Sequence, residues 1–355
     1  MRFPEFSGEW EKYRLKDIAN ISKERIGINM LSNNNYISTE NMKPDFGGVD
    51  VAINFPASGN VIKFQKGDTL LSNIRPYLKK IWQAKFDGGC SADIFVFRSN
   101  ILCNSDFLYY TLANEKFILY AMSGAKGVKM PRGDKEQILK YDLHLPTTIE
   151  QNKIASMLSL LDDRIATQIK IIEKLESLIK GLCQKLTQQG NPNTALNEAL
   201  VCHSSTLQES SVQDVGKYPV YGATGVCGYI DAPEVDGDSI LIIKDGASVG
   251  VTYYASGKYS AIGTLNRLVA KSGYSLRYLY YCLKVFNFAP YRTGLAIPHI
   301  YFRDYGKAKV WCPPLDEQQR IADALSKVEL KIAIEKSLLE QLYSQKRFLL
   351  QAMFI

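Results

Sequence analysis

Three histidines, His144, His203 and His299, and seven cysteines, at positions 90, 103, 183, 202, 227, 282 and 312, are the residues from which a metal centre or a nucleophilic site would be built. A zinc site draws on closely spaced Cys or His pairs. No Cys-x-x-Cys pair occurs, and the histidines lie far apart in the chain. The odd, irregular cysteine set does not suit a disulfide framework either, so reduced thiols are expected. A phosphate loop needs Gly-x-x-x-x-Gly-Lys-Ser/Thr and a dinucleotide turn needs Gly-x-Gly-x-x-Gly. Gly222-Ala-Thr-Gly225-Val-Cys-Gly228 has neither spacing. Asn191-Pro-Asn-Thr194 has a polar third residue and no aromatic after it, unlike the Asn-Pro-Pro-aromatic motif of amino-methyltransferases. Pro44-Asp45 lacks the nearby Glu-x-Lys of a nuclease core. The common catalytic classes therefore fail together, and the chemistry left is that of binding.

Charge points the same way, mildly. The formal net charge is +7 over 355 residues. Residues 1–146 carry 20 basic and 16 acidic side chains, and residues 191–313 carry 11 and 9. The excess thus sits outside the long helical segments, which suits a polyanionic partner. The N-terminal residues have no apolar signal core, and no apolar run approaches the ~20 residues that span a bilayer. A soluble, cytoplasmic protein with no membrane role is expected.

The elements that must position any binding residues come in two copies. Shifting the chain by 167 residues places Leu143-His-Leu-Pro-Thr-Thr-Ile-Glu-Gln-Asn-Lys-Ile-Ala155 on Val310-Trp-Cys-Pro-Pro-Leu-Asp-Glu-Gln-Gln-Arg-Ile-Ala322. Upstream, Leu108-Tyr-Tyr110 echoes Leu279-Tyr-Tyr281 with a small gap, and Gly67-Asp68 echoes Gly237-Asp238. Downstream of each match, apolar residues step by three and four. The first run is Ile154, Leu158, Leu161, Ile165, Ile172, Leu175, Ile179, Leu182 and Leu186. The second is Ile321, Leu325, Val328, Ile332, Leu339, Leu342, Leu349 and Met353, with a break near Lys346. Such spacing predicts two long amphipathic helices with a coiled-coil seam. About 38 residues at ~1.5 Å each give roughly 57 Å. Both runs skip one seam position, at Gln168 and Glu335. These are either tolerated exposed polar residues or residues that fix register. Prolines 146, 313 and 314 stand just before the helices, where proline is tolerated. Gly190 and Pro192 end the first. The remainder reads as mixed strand and helix: strands at 67–72 and 239–244, short helices at 106–113 and 275–283. The helices repeat well and the globular heads poorly, which favours one scaffold carrying two different readers over a doubled catalyst.

Taken in order, these motifs resemble the DNA-specificity subunits of type I restriction–modification systems. Gly216-Lys-Tyr-Pro-Val-Tyr-Gly-Ala-Thr-Gly225, Gly228-Tyr-Ile-Asp231 and Asp245-Gly-Ala-Ser-Val-Gly250 resemble the start of a target-recognition domain. Asn73-Ile-Arg-Pro-Tyr-Leu-Lys-Lys80 with Cys90-Ser-Ala-Asp-Ile-Phe-Val96 looks like the matching core of the first such domain. Phe3-Pro-Glu-Phe-Ser-Gly-Glu-Trp10 resembles the family's N-terminal lead-in, and Pro-x-x-x-Glu-Gln-x-x-Ile-Ala, at 146–155 and 313–322, the start of its helical spacers. The resemblance covers nearly the whole chain. It implies an α+β architecture with a pseudo-two-fold internal repeat: two mixed α/β target-recognition domains, 1–146 and 191–313, and two long spacer helices, 147–190 and 314–355, packed as an antiparallel coiled coil. It implies a non-catalytic chain that reads a bipartite, asymmetric double-stranded DNA target. Two modification subunits would bind S-adenosylmethionine and methylate adenine. A restriction subunit using ATP and Mg is a further partner, and no cofactor belongs to this chain.

Binding DNA needs cations for phosphates and forked or planar donors for base edges. In the first head the candidates are Arg75, Tyr77, Lys79, Lys80, Lys126, Lys129 and Arg132; the Gly- and Pro-punctuated stretch 123–133 is the clearest. In the second they are Tyr221, Thr224, Lys244, Ser248, Arg292 and His299, with 291–299 in the place of the first loop. The helix seam, or partner surface, is expected at Ile154, Leu158, Leu161, Ile165, Gln168, Ile172 and Leu175, and at Ile321, Leu325, Val328, Ile332, Glu335, Leu339 and Leu342. Two other readings compete: a coiled-coil adaptor that never meets DNA, and a DNA-modifying enzyme with unrecognised motifs. DNA binding by the purified chain separates the first; S-adenosylmethionine binding by the isolated chain would favour the second.

Overall fold

The computed structural model describes residues 2–294 and 296–354. It divides into two compact units, Met1–Gln168 with Leu338–Ile355, and Ile169–Ser337.

In the first unit, strand Glu11–Arg14 pairs antiparallel with Asp142–Leu145, the strand just before the long helix. An antiparallel sheet runs Ala19–Ile21, Ile94–Ser99, Thr69–Ser72, Ile81–Gln83. A second sheet runs Arg25–Gly27, Asn60–Phe64, Gly88–Cys90, Tyr36–Ile37, its last pair parallel. Every residue of Thr69–Ser72 is buried. The reason is the two-residue period of a strand. Leu71 joins the core built from the helices, while Leu70 joins Phe64, Trp82, Ile94 and Val96 between the sheets. A strand covered on both faces reads as an unbroken apolar run rather than an alternation.

Helix Ser105–Leu112 begins at Asn104, whose side chain accepts from the Asp106 and Phe107 backbone N–H groups. Its Phe107 and Leu108 meet Ile154, Ala155 and Leu158 of the long helix Thr148–Thr187. Leu350 and Met353, from the end of helix Leu315–Met353, close the same core. Asp162 pairs with Lys346 at 2.6 Å, so the start of one long helix lies antiparallel to the end of the other. That pair also accounts for the break in the apolar run near Lys346.

The second unit repeats the plan. Thr194–Ala195 pairs with Lys309–Val310. The first sheet runs Leu200–Ser204, Leu265–Ala270, Ser239–Ile243, Thr252–Ala255, and the second Gly225–Ile230, Tyr218–Gly222, Lys258–Ala261, Val235–Asp236. Ser239–Ile243 is again wholly buried, with Ile240 and Ile242 on the helix side and Leu241 and Ile243 between the sheets. Helix Leu276–Lys284 packs on both long helices through a core that includes Ile179, Cys183, Ile321, Leu325 and Ile332. Glu176 and Lys336 pair at 2.6 Å.

The glutamine of the Glu-Gln repeat has the same physical explanation in both units. Gln151 is almost fully buried; its amide donates to the Leu102 and Pro146 carbonyls at 3.0 Å each, and its oxygen accepts from the Asn104 N–H at 2.8 Å. Gln318 donates to the Pro313 carbonyl at 2.8 Å and accepts from the Ser275 N–H at 2.9 Å. Each glutamine therefore ties the first turn of a long helix to the cap of the head helix. A buried amide left half-satisfied is costly, which fixes the residue type. Glu150, also buried, takes a forked pair from Arg2, with both bonds at 2.7 Å.

Of the expected seam residues, Ile154, Leu158, Leu161, Ile165, Gln168, Ile172, Ile321, Leu325, Ile332, Glu335 and Leu342 are buried, while Leu175, Val328 and Leu339 are half-buried. Gln168 and Glu335 are thus not exposed polar residues. Near the end of the second helix the periodicity drifts: Leu350 takes the buried place and Leu349 packs on its margin.

Candidate nucleic-acid interface

The chain leaves the central strand of each head and meets a glycine-turned hairpin. In the first head, Lys126 and Arg132 exchange backbone hydrogen bonds at 2.9 Å, Gly133 N–H donates to the Asn73 carbonyl at 3.0 Å, and Arg75 N–H donates to the Pro131 carbonyl at 2.8 Å. In the second, Thr293 N–H donates to the His299 carbonyl at 2.9 Å and His299 N–H returns the bond at 2.8 Å. Gly246 N–H donates to the Pro298 carbonyl at 2.8 Å. Gly127 and Gly294 hold the turns at φ 96° and 88°, a region that favours glycine. Residue 295 lies outside the described residues, but the hairpin around it is the counterpart of 126–132.

The first head's candidates divide by what they already touch. Arg75 and Tyr77 are exposed beside the hairpin, Arg75 and Lys79 both having left-handed backbone around the short turn Pro76–Leu78. Lys129 is exposed on the hairpin. Arg132 pairs with Asp93 at 2.7 Å while remaining half-exposed. Lys126 pairs with Asp134 at 2.5 Å. The hydrogen bond from Lys126 and those from the Gln137 and Glu136 backbone hold the Asp134 carboxyl below its ordinary value. Lys79 is ion-paired to Glu115, and Lys80 donates to the Thr39 carbonyl at 2.7 Å, so both serve the head's own packing.

In the second head Arg292 donates to the Val249 carbonyl at 3.0 Å at the edge of an open cleft of about 440 Å³, with Lys284, Phe286 and Phe288 in its wall. His299 lies edge-on to Tyr301 at 5.1 Å. Lys244 is half-buried beneath the hairpin, its carbonyl accepting from Ile300 at 2.9 Å. Ser248 and Thr224 are exposed in neighbouring turns. Tyr221 is half-buried, edge-on to the buried Tyr259 at 5.6 Å, and belongs to the inter-sheet core.

Sequence reasoning missed the residues that seat each head on its long helices. Tyr110 donates to Asp162 at 2.8 Å, and Asp162 also takes Lys346. In the second unit Tyr280 and Tyr281 donate to Glu329 at 3.0 and 2.9 Å, and Lys284 donates to it at 2.6 Å. Asp162 and Glu329 stand 167 residues apart, so the repeat offset already related them. Nothing in the sequence named their partners.

No group of three or more His, Cys, Asp or Glu among the described residues could hold a metal ion, and none of their helices is long and apolar enough to cross a membrane. Burial pushes the Cys90 and Cys103 thiols up to about 12, which keeps them protonated rather than nucleophilic.

Two α+β heads, each followed by a long helix, define an internally duplicated protein. The family model described as the type I restriction modification DNA specificity domain matches residues 7–177 and 201–344, and the chain belongs to that family. It is 27% identical over 124 residues to the EcoDI specificity subunit of Escherichia coli, covering 35% of this chain and 28% of that protein. It is 27% identical over 208 residues to the MjaVIII specificity subunit of Methanocaldococcus jannaschii, covering 54% and 44%. The chain thus spans less than half the length of these relatives. In fold it is similar to the S subunit of a type I system from M. genitalium, with TM-score 0.66 and 17% identity over 100% of this chain and 99% of that one. A structure described as concerning complex assembly and conformational transition of the type I system gives 0.59 and 17% over 98% of each.

Proposed function

We propose that this chain is the non-catalytic, sequence-reading subunit of a type I restriction–modification enzyme. Residues 1–146 and 191–313 each read one part of a bipartite DNA target, and the helical segments 147–190 and 314–355 set the gap between the parts. The observation that carries this is the hairpin found in both heads with the same frame and different side chains. Lys126, Lys129 and Arg132 in one stand where Thr293, Ala296 and His299 stand in the other. Equal frames suit equal docking on duplex DNA; unequal side chains suit an asymmetric target. Two modification subunits supply S-adenosylmethionine chemistry, and a restriction subunit, where one joins, supplies ATP and Mg chemistry, all in the cytoplasm.

Co-expression of the chain with its modification subunits, followed by sequencing of host methyl-adenine, is expected to return one bipartite, asymmetric motif. Absence of any such motif, together with no gel shift of duplex DNA by the assembled complex, would leave the adaptor reading standing.

The cations make separable contributions. Arg75→Ala is expected to weaken binding to all sequences alike and to reduce the slope of log K against log salt by about 0.9, the value for one phosphate contact. Arg292→Ala should weaken binding to the second half-site specifically, because its anchored side chain lines that head's cleft. Titration of both variants between low and moderate salt checks this; an unchanged slope for Arg75→Ala would remove it from the interface.

A further inference from the structure

Both hairpins hold an apolar side chain out into solvent at the same place. Met130 is 51% exposed and Ile297 is 66% exposed. They are 167 residues apart, and each is followed by a proline and then by the hairpin's terminal Arg132 or His299. The carbonyls of Pro131 and Pro298 are held by the N–H groups of Arg75 and Gly246. A Cβ on Gly127 would come within 3.3 Å of the Met130 carbonyl, and one on Gly294 within 2.3 Å of the Ile297 carbonyl. In the first hairpin Val128 is 99% exposed as well. A hairpin whose arms are paired and whose proline carbonyl is anchored, presenting an apolar group bordered by Arg75, Lys129 and Arg132 in one head and by Arg292 and His299 in the other, is ill-suited to bare solvent. Arg75, Lys129, Arg132 and Arg292 of that border attract a polyanion, and the apolar tip then meets the part of it that is not charged.

We propose that Met130 and Ile297 are specificity-determining residues that press against base edges of duplex DNA, one in each half-site. This inference rests on the DNA-reading function proposed above. The surrounding cations engage phosphates and fix the register, while the apolar tip takes an apolar partner. In a groove, that partner is the thymine methyl group, the one apolar feature of the base edges. Each head would therefore prefer an A·T pair at one position of its half-site.

The test compares host methyl-adenine motifs specified by the parent chain and by Met130→Ser, Ile297→Ser and Met130→Leu, each co-expressed as the full complex. Met130→Ser is expected to reduce discrimination at one A·T position of the first half-site by roughly tenfold, the scale of one base mismatch. The second half-site stays intact, Ile297→Ser does the reverse, and Met130→Leu keeps the parent motif. A thermal melt of each variant within about a degree of the parent is expected, since the side chains are exposed. Serine variants that specify the parent motif unchanged would overturn the inference, as would uniform weakening at every base. If the parent chain itself yields no bipartite motif, the proposed function fails instead.

Discussion

Replacing Glu329 with alanine is expected to destabilise the second unit by about 3 kcal/mol. The carboxylate receives hydrogen bonds from Tyr280, Tyr281 and Lys284, and both tyrosines are otherwise buried in the helix-facing core. Its removal strands two phenolic hydroxyls, while the partly exposed Lys284 ammonium keeps the Tyr280 hydroxyl at 3.3 Å. A buried donor left without its acceptor costs about 1–3 kcal/mol, and groups in one network are not additive, so a total near 3 is expected rather than three times that. Tyr280→Phe should cost about 1 kcal/mol, because it removes donor and need together. The same site predicts a pH dependence. Burial opposes ionisation of Glu329, but hydrogen bonds from Lys284, Tyr281 and Tyr280 outweigh it and hold the carboxyl below its ordinary value of 4.5. A carboxyl lowered in the folded state contributes stability that is fully present above its unfolded value and disappears as pH falls through the folded value. The melting temperature should therefore be flat near neutrality and fall below about pH 4.5, and Glu329→Gln should blunt that fall. Thermal melts of both chains across acid pH decide it; parallel curves would show that the carboxylate does not hold the head.

The second large effect concerns Asp68. It is 4% exposed and receives a forked pair from Arg98, at 3.0 and 2.9 Å, together with the Gln65 N–H at 2.8 Å. The hydrogen bond to Asp68, opposed by burial and helped by Glu24, raises the Arg98 pKa. Alanine at 68 leaves Arg98 with Glu24 alone and orphans a turn N–H. Breaking a buried pair from one side costs about 3–5 kcal/mol. Because Arg98 keeps some solvent and a second acid, about 3 is expected. Its counterpart Asp238 is exposed and accepts from Tyr254, at 2.7 Å. Asp238→Ala should stay under about 1 kcal/mol. Denaturant melts of the two variants test the contrast, and equal losses would show that the forked pair adds nothing beyond the turn itself.

These two sites show where the sequence could and could not be read. The long helices were legible because a three- and four-residue apolar step leaves few other folds. The central strands were legible too, as unbroken apolar runs. The second sheet of each head was not. Its strands are short, Gly88-Gly89-Cys90 has little side chain to give a pattern, and Tyr36–Ile37 pairs in parallel with a strand some fifty residues away. The segments 123–133 and 291–299 were legible as loops through glycine, proline and cations, but not as paired hairpins. The exposure of Met130 and Ile297 was not, since apolar residues are read as core. Lys79, Lys80 and Tyr221 illustrate the converse. Each looks free in the sequence, yet each is engaged by Glu115, by the Thr39 carbonyl or by Tyr259, partners between about thirty-six and forty-one residues away. A sequence displays charge, but the neighbour that neutralises it is a property of the fold.

The chain's last stretch bears on the order in which the protein is made. The amide of Asn114 donates to the Leu350 carbonyl at 2.7 Å, and the Phe107 ring rests on that of Phe354 at 5.1 Å. On a ribosome, then, the head synthesised first must wait with an open apolar face until residues 338–354 emerge. Domains usually fold from the N-terminus onward as they are made; here the first-made head depends on the last-made residues, and a chaperone or a partner subunit would find its exposed substrate there.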